Sequence, residues 1–233
     1  MKSAYSLLFL ASLASLAHGA TLVQTREFEF LPDGSQNLVF DKFDLTLGTL
    51  TSVTVSVVMN KTGGRFEVDN DSTNTGTISM NHNVVGNLSV VAGSVGLIRS
   101  DFTAIGGSGS LTASSSLTDQ PIAATSGDAT NTFNATGQSD HIVFIPSAAA
   151  ASSSGTIASF ATPTYAGPGT FILGVNAIQS VSVTGLGGLQ QAFTVSGVSG
   201  EVTVTYNYDA IPEPGAAVLG GLGVLALMGR RRR

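Results

Sequence analysis

Residues 51–57 read Thr-Ser-Val-Thr-Val-Ser-Val, so that valines alternate with hydroxyl side chains. Successive side chains of a β-strand point to opposite faces of its sheet, so this segment places its valines on one face and its hydroxyls on the other. Residues 180–184 (Ser-Val-Ser-Val-Thr) and 201–208 (Glu-Val-Thr-Val-Thr-Tyr-Asn-Tyr) repeat the pattern. β-Branched residues on both faces favour strand over helix. The three segments therefore predict half-buried strands at widely separated places in the chain.

Weaker alternation predicts further strands along most of the chain. Clusters of Gly, Asn and Asp lie between these segments and suit hairpin turns. Before residue 210 only a short alanine run at 148–151 hints at a helical period. About a dozen strands with turn signals every ten or so residues predict an all-β fold, an antiparallel β-sandwich of jelly-roll or Ig-like type. The further predicted strands are residues 24–30, 64–68, 75–80, 87–92, 97–103, 109–117, 141–145, 155–160, 170–175 and 191–195.

The N-terminal segment has the layout of a secretory signal peptide. Lys2 supplies a positive charge, residues 7–11 (Leu-Leu-Phe-Leu-Ala) begin an apolar core, and residues 17–19 (Ala-His-Gly) fit the small-x-small cleavage rule. The apolar run is too short for a permanent membrane anchor. We therefore expect cleavage by signal peptidase after Gly19, with cleavage after Ala20 as the alternative.

The C-terminal segment combines a short apolar stretch with a block of arginines. The fifteen residues 215–229 are Gly, Ala, Leu, Val and Met, and as a helix they rise about 22 Å, which is short of a hydrocarbon core about 30 Å thick. The arginines oppose translocation and can snorkel to the interface, so we predict a short transmembrane helix with its C-terminal side in the cytoplasm. Pro212 and Pro214 predict an extended, accessible segment before that helix. The predicted membrane stop consists of Arg230, Arg231, Arg232 and Arg233.

The order of these parts resembles the PEP-CTERM sorting signal of Gram-negative bacteria that make extracellular polysaccharide. The match covers residues 211–233, with Pro212, Glu213 and Pro214 as the motif. The resemblance implies recognition by an exosortase, a membrane-embedded cysteine transpeptidase that cuts near the motif. It also implies transient anchoring in the inner membrane, followed by release or re-anchoring at the cell surface. Signals of this kind are also named after ice-binding proteins, but that label concerns the signal and not the domain before it.

A second resemblance lies near the start of the predicted domain. Phe43-Asp44, Leu47-Gly48 and Leu50, which lead into the Thr/Val strand, are similar to the opening of choice-of-anchor bacterial surface domains, type E in particular. The turn at 70–76 also matches, whereas residue 45 is Leu where that pattern has Pro. The resemblance extends to about residue 90. It implies a surface domain with an interchangeable anchor and no assigned activity.

These signals predict three regions: a signal peptide at 1–19, one β-sandwich domain at 20–209 and a sorting signal at 210–233. The signals contain Lys2, Glu213 and the four arginines, which leaves fourteen acidic and five basic side chains, a charge of −9 for the domain instead of −5 for the chain. So few cations neutralise phosphates poorly, and we expect no nucleic-acid partner and little attraction to anionic lipid. Cysteine is absent, which excludes disulfides and cysteine nucleophiles.

Catalytic residue types are sparse in the domain. His82 and His141 are its histidines, and we expect each to be structural. Residues 139–141 (Ser-Asp-His) contain the residue types of a triad, but neighbours on a strand point to opposite faces. Glu27 and Glu29 share a strand face, whereas a glycosidase pair needs carboxylates at a defined gap from separate strands. No nucleophile elbow, Walker loop or His-Glu-x-x-His motif occurs, so we predict no enzyme and name no catalytic residue.

The oxygen-rich segment Asp-Asn-Asp-Ser-Thr-Asn at 69–74 is a candidate Ca²⁺ loop, because hard cations prefer oxygen ligands. Its candidate ligands are Asp69, Asp71 and Asn74. It lacks the glycine and distal glutamate of an EF-hand, and a hairpin turn stabilised by its Asx side chains accounts for the same residues. Ca²⁺ is the one cofactor that the sequence brings into consideration.

Two classes of function follow. The first is an exported, non-catalytic surface or matrix protein with a structural or adhesive role in secreted polysaccharide or biofilm. The second is a ligand-binding module for carbohydrate or ice. Ice binding needs a flat threonine array over adjacent strands, and residues 51–54 and 203–205 supply fragments of one. Carbohydrate sites commonly present exposed aromatic rings, for which Tyr165, Tyr206 and Tyr208 are available. The expected partners are signal peptidase, an exosortase-like transpeptidase, the membrane and extracellular polysaccharide.

Overall fold

The structure, a computed structural model, describes residues 19–125, 127, 133 and 138–211. The described chain is all-β, and every pair of its eleven strands is antiparallel. The predicted all-β, antiparallel class is therefore confirmed, and the architecture is consistent with the predicted β-sandwich. The strands are β1 (Gly19–Phe30), β2 (Gly34–Asp41), β3 (Gly48–Thr62), β4 (Arg65–Asn70), β5 (Gly76–Ala92), β6 (Leu111–Ile122), β7 (His141–Phe144), β8 (Ala149–Thr156), β9 (Thr170–Thr184), β10 (Leu189–Thr194) and β11 (Gly197–Ala210), with a 3-10 helix at Thr162–Tyr165.

Eight of these strands form two four-stranded sheets with a nested pairing. Sheet A has the order β1-β11-β3-β8, and sheet B has the order β2-β9-β5-β6. Along the chain the first of the eight pairs with the eighth, the second with the seventh, the third with the sixth and the fourth with the fifth. The remaining strands form sheet C, of order β10-β4-β7.

Period-two alternation builds the core between sheets A and B, as expected for a sandwich-like arrangement. Val53, Val55 and Val57 of β3 are fully buried, whereas Thr54 and Ser56 between them remain partly exposed. The valines pack with inward side chains of β5, β9 and β11 in one large apolar cluster. A smaller cluster lies under sheet C and contains Phe66, Val68, Ile78, Met80, Ile122 and Phe144.

Two strands are longer than the alternation predicts. The predicted strands 75–80 and 87–92 are parts of β5, and 170–175 and 180–184 are parts of β9. Asn81 and Asn83 resemble turn residues in the sequence, but in β5 they lie on the outer face between the buried positions of the strand. Strand β2 was not predicted at all.

Two strand predictions from local pattern are wrong. Residues 97–103 form a loop with isolated bridges, in which the Arg99 side chain supplies many of the hydrogen bonds. Only the first two residues of the predicted strand 155–160 belong to a strand, β8. The alanine run at 148–151 is not helical, because Ala149–Thr156 pairs with β3 along its full length.

The described chain begins and ends at the same end of the sandwich, which we call the exit end. In sheet A the start of β1, the start of β3, the end of β8 and the end of β11 all lie there. The connections 42–47, 93–110 and 157–169 join strand ends on that side, so they lie at the exit end too. Ile211 continues from β11 and donates its backbone N–H to the Leu47 carbonyl oxygen at 3.1 Å.

Candidate functional site

The outer face of sheet A carries aligned rows of hydroxyl side chains. In one row Thr25 of β1 is followed on successive strands by Thr203, Ser56 and Ser154. In the next row only the β1 position, Val23, lacks a hydroxyl. The sequence fragments at 51–54 and 203–205 thus lie side by side, because β3 and β11 are neighbours. We call the seven residues the hydroxyl face: Thr25, Thr54, Ser56, Ser154, Thr156, Thr203 and Thr205.

The hydroxyl face is neutral and only partly hydrogen-bonded internally. Thr25 Oγ1 lies 2.9 Å from Thr203 Oγ1, and Thr54 Oγ1 lies 3.4 Å from Thr156 Oγ1. A hydroxyl has one donor and two acceptor positions, so these contacts leave bonding capacity for a ligand or water. Adjacent strands lie about 4.8 Å apart and same-face residues of a strand about 6.8 Å apart. The face is therefore a two-dimensional array of uncharged donors and acceptors.

An acidic border lies beside the hydroxyl face. Glu27 of β1 stands directly opposite Glu201 of β11, and Glu29 follows two residues along β1. All three line one cavity together with Gln36 and Asn60. The strand register thus places Glu201, a carboxylate from a separate strand, opposite Glu27. The spacing of Glu27 and Glu29 in the sequence does not reveal this neighbour. Like charges directly opposite each other repel, so this border disfavours anionic ligands.

A buried polar network crosses the sandwich between the two apolar clusters. Lys61 of β3 and His82 of β5 are almost completely buried, and Lys61 Nζ lies 3.0 Å from His82 Nδ1. Lys61 Nζ also donates to Ser115 Oγ of β6 at 2.6 Å. On its other side His82 Nε2 lies 2.9 Å from Oγ of the buried Ser196, which contacts Gln179 Oε1 at 3.3 Å. The network therefore links β3, β5, β6 and β9 with the segment between β10 and β11.

The donors in this network fix the direction of its hydrogen bonds. As an ammonium, Lys61 has donors only, so in that charge state His82 Nδ1 accepts from Lys61 and the imidazole proton lies on Nε2. His82 then donates to Ser196, and Ser196 donates to Gln179. A nucleophilic serine needs the opposite arrangement, in which the imidazole accepts the hydroxyl proton. In this arrangement His82 donates to Ser196 and does not act as its base, and Ser196 is fully buried.

Burial governs the charges of this network. Burial lowers the pKa of Lys61 below its usual range. Burial also lowers the pKa of His82, and the positive charge of Lys61 lowers that pKa further. Among the described residues Lys61 has no ion-pair partner. The alternation of the sequence carries a signal for this network, because Lys61 and His82 occupy inward positions of β3 and β5.

His141 has a structural environment. Its side chain is buried, and Nε2 lies 3.1 Å from Glu67 Oε2, while Glu67 Oε1 lies 2.6 Å from Arg65 Nε. His141 begins β7, and residues 139 and 140 belong to the preceding turn. The contact between His141 and Glu67 joins β7 to β4 within sheet C.

The candidate Ca²⁺ residues are split between a strand and a turn. Asp69 is buried in β4, whereas Asp71 and Asn74 lie in the turn before β5. That turn is organised by Asn70, whose Oδ1 accepts from Ser72 N at 3.0 Å and whose Nδ2 donates to the Asn74 carbonyl at 2.8 Å. In the part of the chain that the structure describes, no group of three His, Cys, Asp or Glu is arranged to hold a metal. The Ca²⁺ site stays a prediction.

The tyrosines do not form an exposed platform. Tyr165 and Tyr206 are fully buried, and Tyr208 is partly buried. Tyr206 donates from its hydroxyl to the Asp41 carbonyl at 2.7 Å, and Tyr165 donates to the Gly96 carbonyl at the same distance. Tyr165 and Tyr206 thus form hydrogen bonds between distant segments of the sandwich.

The sorting residues fall outside the described residues, namely Pro212, Glu213, Pro214, Arg230, Arg231, Arg232 and Arg233. Gly19 and Ala20, the two candidate cleavage positions, are the first residues of β1 and pair with Asp209 and Tyr208. Within the described ranges no helix is long and apolar enough to span a membrane. The cleavage, sorting and membrane predictions stay predictions.

No family model and no curated protein matches the chain. Solved structures to which it is similar include a chain of the T13 particle of infectious bursal disease virus, with 12% identity over 85% of this chain and 41% of that chain and a TM-score of 0.20. A chain from the Gx strain of this virus shows 14% identity over 92% of this chain and 49% of that chain, with a TM-score of 0.20. This chain thus spans less than half the length of either viral chain. Likeness at this level carries no conclusion about function.

Proposed function

We propose that the described domain belongs to an exported, non-catalytic surface or matrix protein that adheres to neutral polysaccharide. The observation that carries this proposal is the hydroxyl face, whose seven hydroxyls share one surface of sheet A. Neutral polysaccharides are chains of hydroxyl groups that need both donors and acceptors, which serine and threonine provide. Each contact contributes little, so adhesion arises from repetition along a long ligand.

Two further observations support this assignment. The border formed by Glu27, Glu29 and Glu201 disfavours acidic glycans, which directs the choice toward neutral ones. The orientation of the Lys61–His82–Ser196 network leaves its serine without a base, which supports a role without catalysis.

The nested pairing of the eight strands supports the jelly roll, and not the Ig-like fold, as the architecture. A jelly roll is a double-sheet sandwich of eight strands built from two Greek keys. Folding one long antiparallel hairpin over on itself pairs the first strand with the eighth and so on inward, which is the pairing of sheets A and B.

The route to the surface rests on the two sequence signals. We propose export by an N-terminal signal peptide, anchoring through residues 215–229 and processing by an exosortase-type enzyme near Pro212, Glu213 and Pro214. Deletion of residues 230–233 is then expected to change the fractionation of the protein between inner membrane and cell surface. Unchanged processing and distribution in cells that express the deletion variant would refute the sorting proposal.

The binding proposal is tested with the full chain in detergent micelles on a glycan array. Neutral glucans and mannans are expected to retain the protein, whereas alginate and hyaluronan are expected not to retain it. Retention by the acidic glycans alone, or by none, would overturn the proposal. A thermal-hysteresis measurement on the same sample tests the alternative ligand, ice, which would also use an ordered array of threonine hydroxyls.

A further inference from the structure

The exit end exposes large apolar side chains in its connecting loops. Phe102 is 78% exposed and Phe160 is 62% exposed, and their rings stack with centroids 6.0 Å apart. Leu45, Leu47 and Ile211 are also exposed, and Leu47 is hydrogen-bonded to Ile211 through the backbone. Exposed apolar residues scattered singly need no explanation, whereas Phe102 and Phe160 form one adjoining pair of exposed rings.

The loop that carries Phe102 is strained and held by several hydrogen bonds. Phe102 has a φ of 62°, in the left-handed region that bulky residues rarely occupy. Asp101 Oδ1 accepts from Thr103 N at 3.0 Å, which closes the turn. Arg99 fastens the loop to β8 through the Ser154 carbonyl and to its own far side through Thr103 and Ala104. The Phe102 ring is therefore held in solvent by a backbone conformation that is unfavourable for a bulky residue.

The number of residues between the domain and the apolar segment limits the distance between the exit end and a membrane. Three residues, 212–214, separate Ile211 from the apolar segment 215–229, and fully extended they span at most about 14 Å. The sandwich is about 45 Å long along β3, whose fifteen residues rise about 3.3 Å each. If residues 215–229 are embedded in a bilayer, the exit end stays within about 14 Å of the membrane, and the opposite end reaches it only if the sandwich lies on its side.

We infer that the exit end lies against the lipid surface of the membrane, with Phe102, Phe160 and Leu45 at the interface, as long as the chain beyond Ile211 is anchored. This inference rests on the anchorage in the proposed function. Aromatic side chains are favoured at the level of the lipid headgroups, where they bury apolar surface. The long axis of the sandwich is then perpendicular to the membrane. The hydroxyl face lies on the side of the sandwich, where polysaccharide can reach it.

The charge of the exit end selects the lipid. Its exposed carboxylates outnumber its cations four to two, so an anionic surface would repel it. We therefore assign a zwitterionic lipid surface, held by apolar contact and insensitive to salt. The charged residues at this end are Asp41, Asp44, Asp101 and Asp209, with Lys42 and Arg99.

The absence of cysteine makes a direct test simple, because one introduced cysteine is one labelling position. The full chain is reconstituted in phosphatidylcholine vesicles that contain headgroup-spin-labelled lipid, and a fluorophore is attached at Ser100→Cys or Ser159→Cys. Ser35→Cys and Thr62→Cys, exposed positions near the opposite end, are the matched controls. We expect severalfold stronger quenching at positions 100 and 159 than at 35 and 62, unchanged by added salt.

The outcomes separate this inference from the proposed anchorage. A chain that does not float with the vesicles overturns both. A chain that floats but shows equal quenching at the two ends overturns the inference alone. Adding Phe102→Ser, Phe160→Ser and Leu45→Ser to the Ser100→Cys chain is expected to reduce its quenching severalfold. Unchanged quenching would show that the tether alone holds this end near the lipid, which contradicts apolar docking.

Discussion

Lys61 Nζ lies 3.0 Å from His82 Nδ1, and both side chains are buried between sheets A and B. A potential cation thus contacts a neutral imidazole without an ion-pair partner among the described residues. The contact divides the core, because Val84 beyond His82 belongs to the large cluster and Met80 on its other side belongs to the small one. The Lys61–His82 pair is therefore a buried polar layer whose energetics can be measured.

Removing half of this pair is expected to cost more stability than removing both halves. His82→Leu leaves the Lys61 ammonium buried with one acceptor fewer, which we expect to lower the free energy of unfolding by about 2–4 kcal/mol. The double variant Lys61→Met/His82→Leu removes both polar groups and is expected to recover most of that loss. Urea unfolding of both single variants and the double variant gives the coupling energy. Additive losses would contradict a direct interaction.

The domain is expected to lose stability as the pH falls below about 6.5. Because the folded-state pKa of His82 is lowered, the unfolded state binds the proton first as the pH falls, and unfolding is favoured. The contribution is fully present above pH 6.5 and is lost as the pH falls toward the lowered folded-state pKa. The urea midpoint between pH 7.5 and 4.5 measures the effect.

His82→Gln is the control for that titration. Its amide oxygen can accept from Lys61 and its amide nitrogen can donate to Ser196, but it does not titrate. The difference between the two pH profiles isolates His82 from His141 and the carboxylates. Parallel profiles for the wild-type chain and His82→Gln would show that His82 does not set the pH dependence.

The Tyr206 hydroxyl is expected to stabilise the contact between sheets A and B. Burial, with the charge of Asp41 as a second cause, raises the pKa of Tyr206 well above its usual range, so the hydroxyl remains a donor. Tyr206→Phe removes the hydrogen bond to the Asp41 carbonyl and is expected to cost about 1 kcal/mol. Tyr208→Phe, at a partly exposed position of the same strand, is the control, and we expect it to be within about 0.5 kcal/mol of wild type. Equal losses in both variants would contradict the assignment.

Gly200 is required by a close approach and not by its backbone angle. A Cβ there would overlap the Val58 carbonyl oxygen and the Phe28 ring. Gly200→Ala must shift a strand backbone and is expected to lower stability by about 2 kcal/mol or more. Gly187→Ala, where a Cβ meets open space, is expected to change stability by less than about 0.5 kcal/mol. A Gly200→Ala chain with an unchanged urea midpoint would show that β1 and β3 adjust freely.

Strand identity was predictable where side chains alternate strictly, as at Thr54 and Val55, because one face of such a segment must be buried. The alternation does not reveal strand length: Asn81 and Asn83 suit turns, but within β5 they occupy the solvent face. Most of β8 escaped prediction because its alanines and serines have weak intrinsic preference, and pairing with β3 decides their conformation. Tertiary pairing overrides local propensity in such segments.

The candidate site was predictable only in fragments. The sequence shows Thr54 and Thr205 as hydroxyl residues in segments of alternating side chains. Their alignment depends on which strands are neighbours, and the local sequence does not encode the order of the strands. Glu201 opposite Glu27 follows from the same register. Lys61 differs, because it continues the inward phase of Val57 and Met59, so its burial follows from alternation alone. A charged residue in an apolar phase is the signal that identifies the network.

The most direct test of the central claim compares the two outer faces of the sandwich. Thr25→Val, Thr54→Val, Thr203→Val and Thr205→Val together remove four hydroxyls from the hydroxyl face and keep the side-chain shape. The control removes four exposed hydroxyls from the outer face of sheet B by Ser114→Ala, Ser116→Ala, Ser180→Ala and Ser182→Ala. Matching urea midpoints establish that both variants fold.

Affinity electrophoresis of the full chain in gels that contain a neutral glucan then gives the dissociation constant of each variant. Each lost hydrogen bond is worth about 0.5–1.5 kcal/mol, so the hydroxyl-face variant is expected to bind at least about tenfold more weakly than wild type. The sheet B variant is expected to bind as the wild type does. Wild-type affinity in the hydroxyl-face variant, or equal losses in both variants, would contradict adhesion through the hydroxyl face.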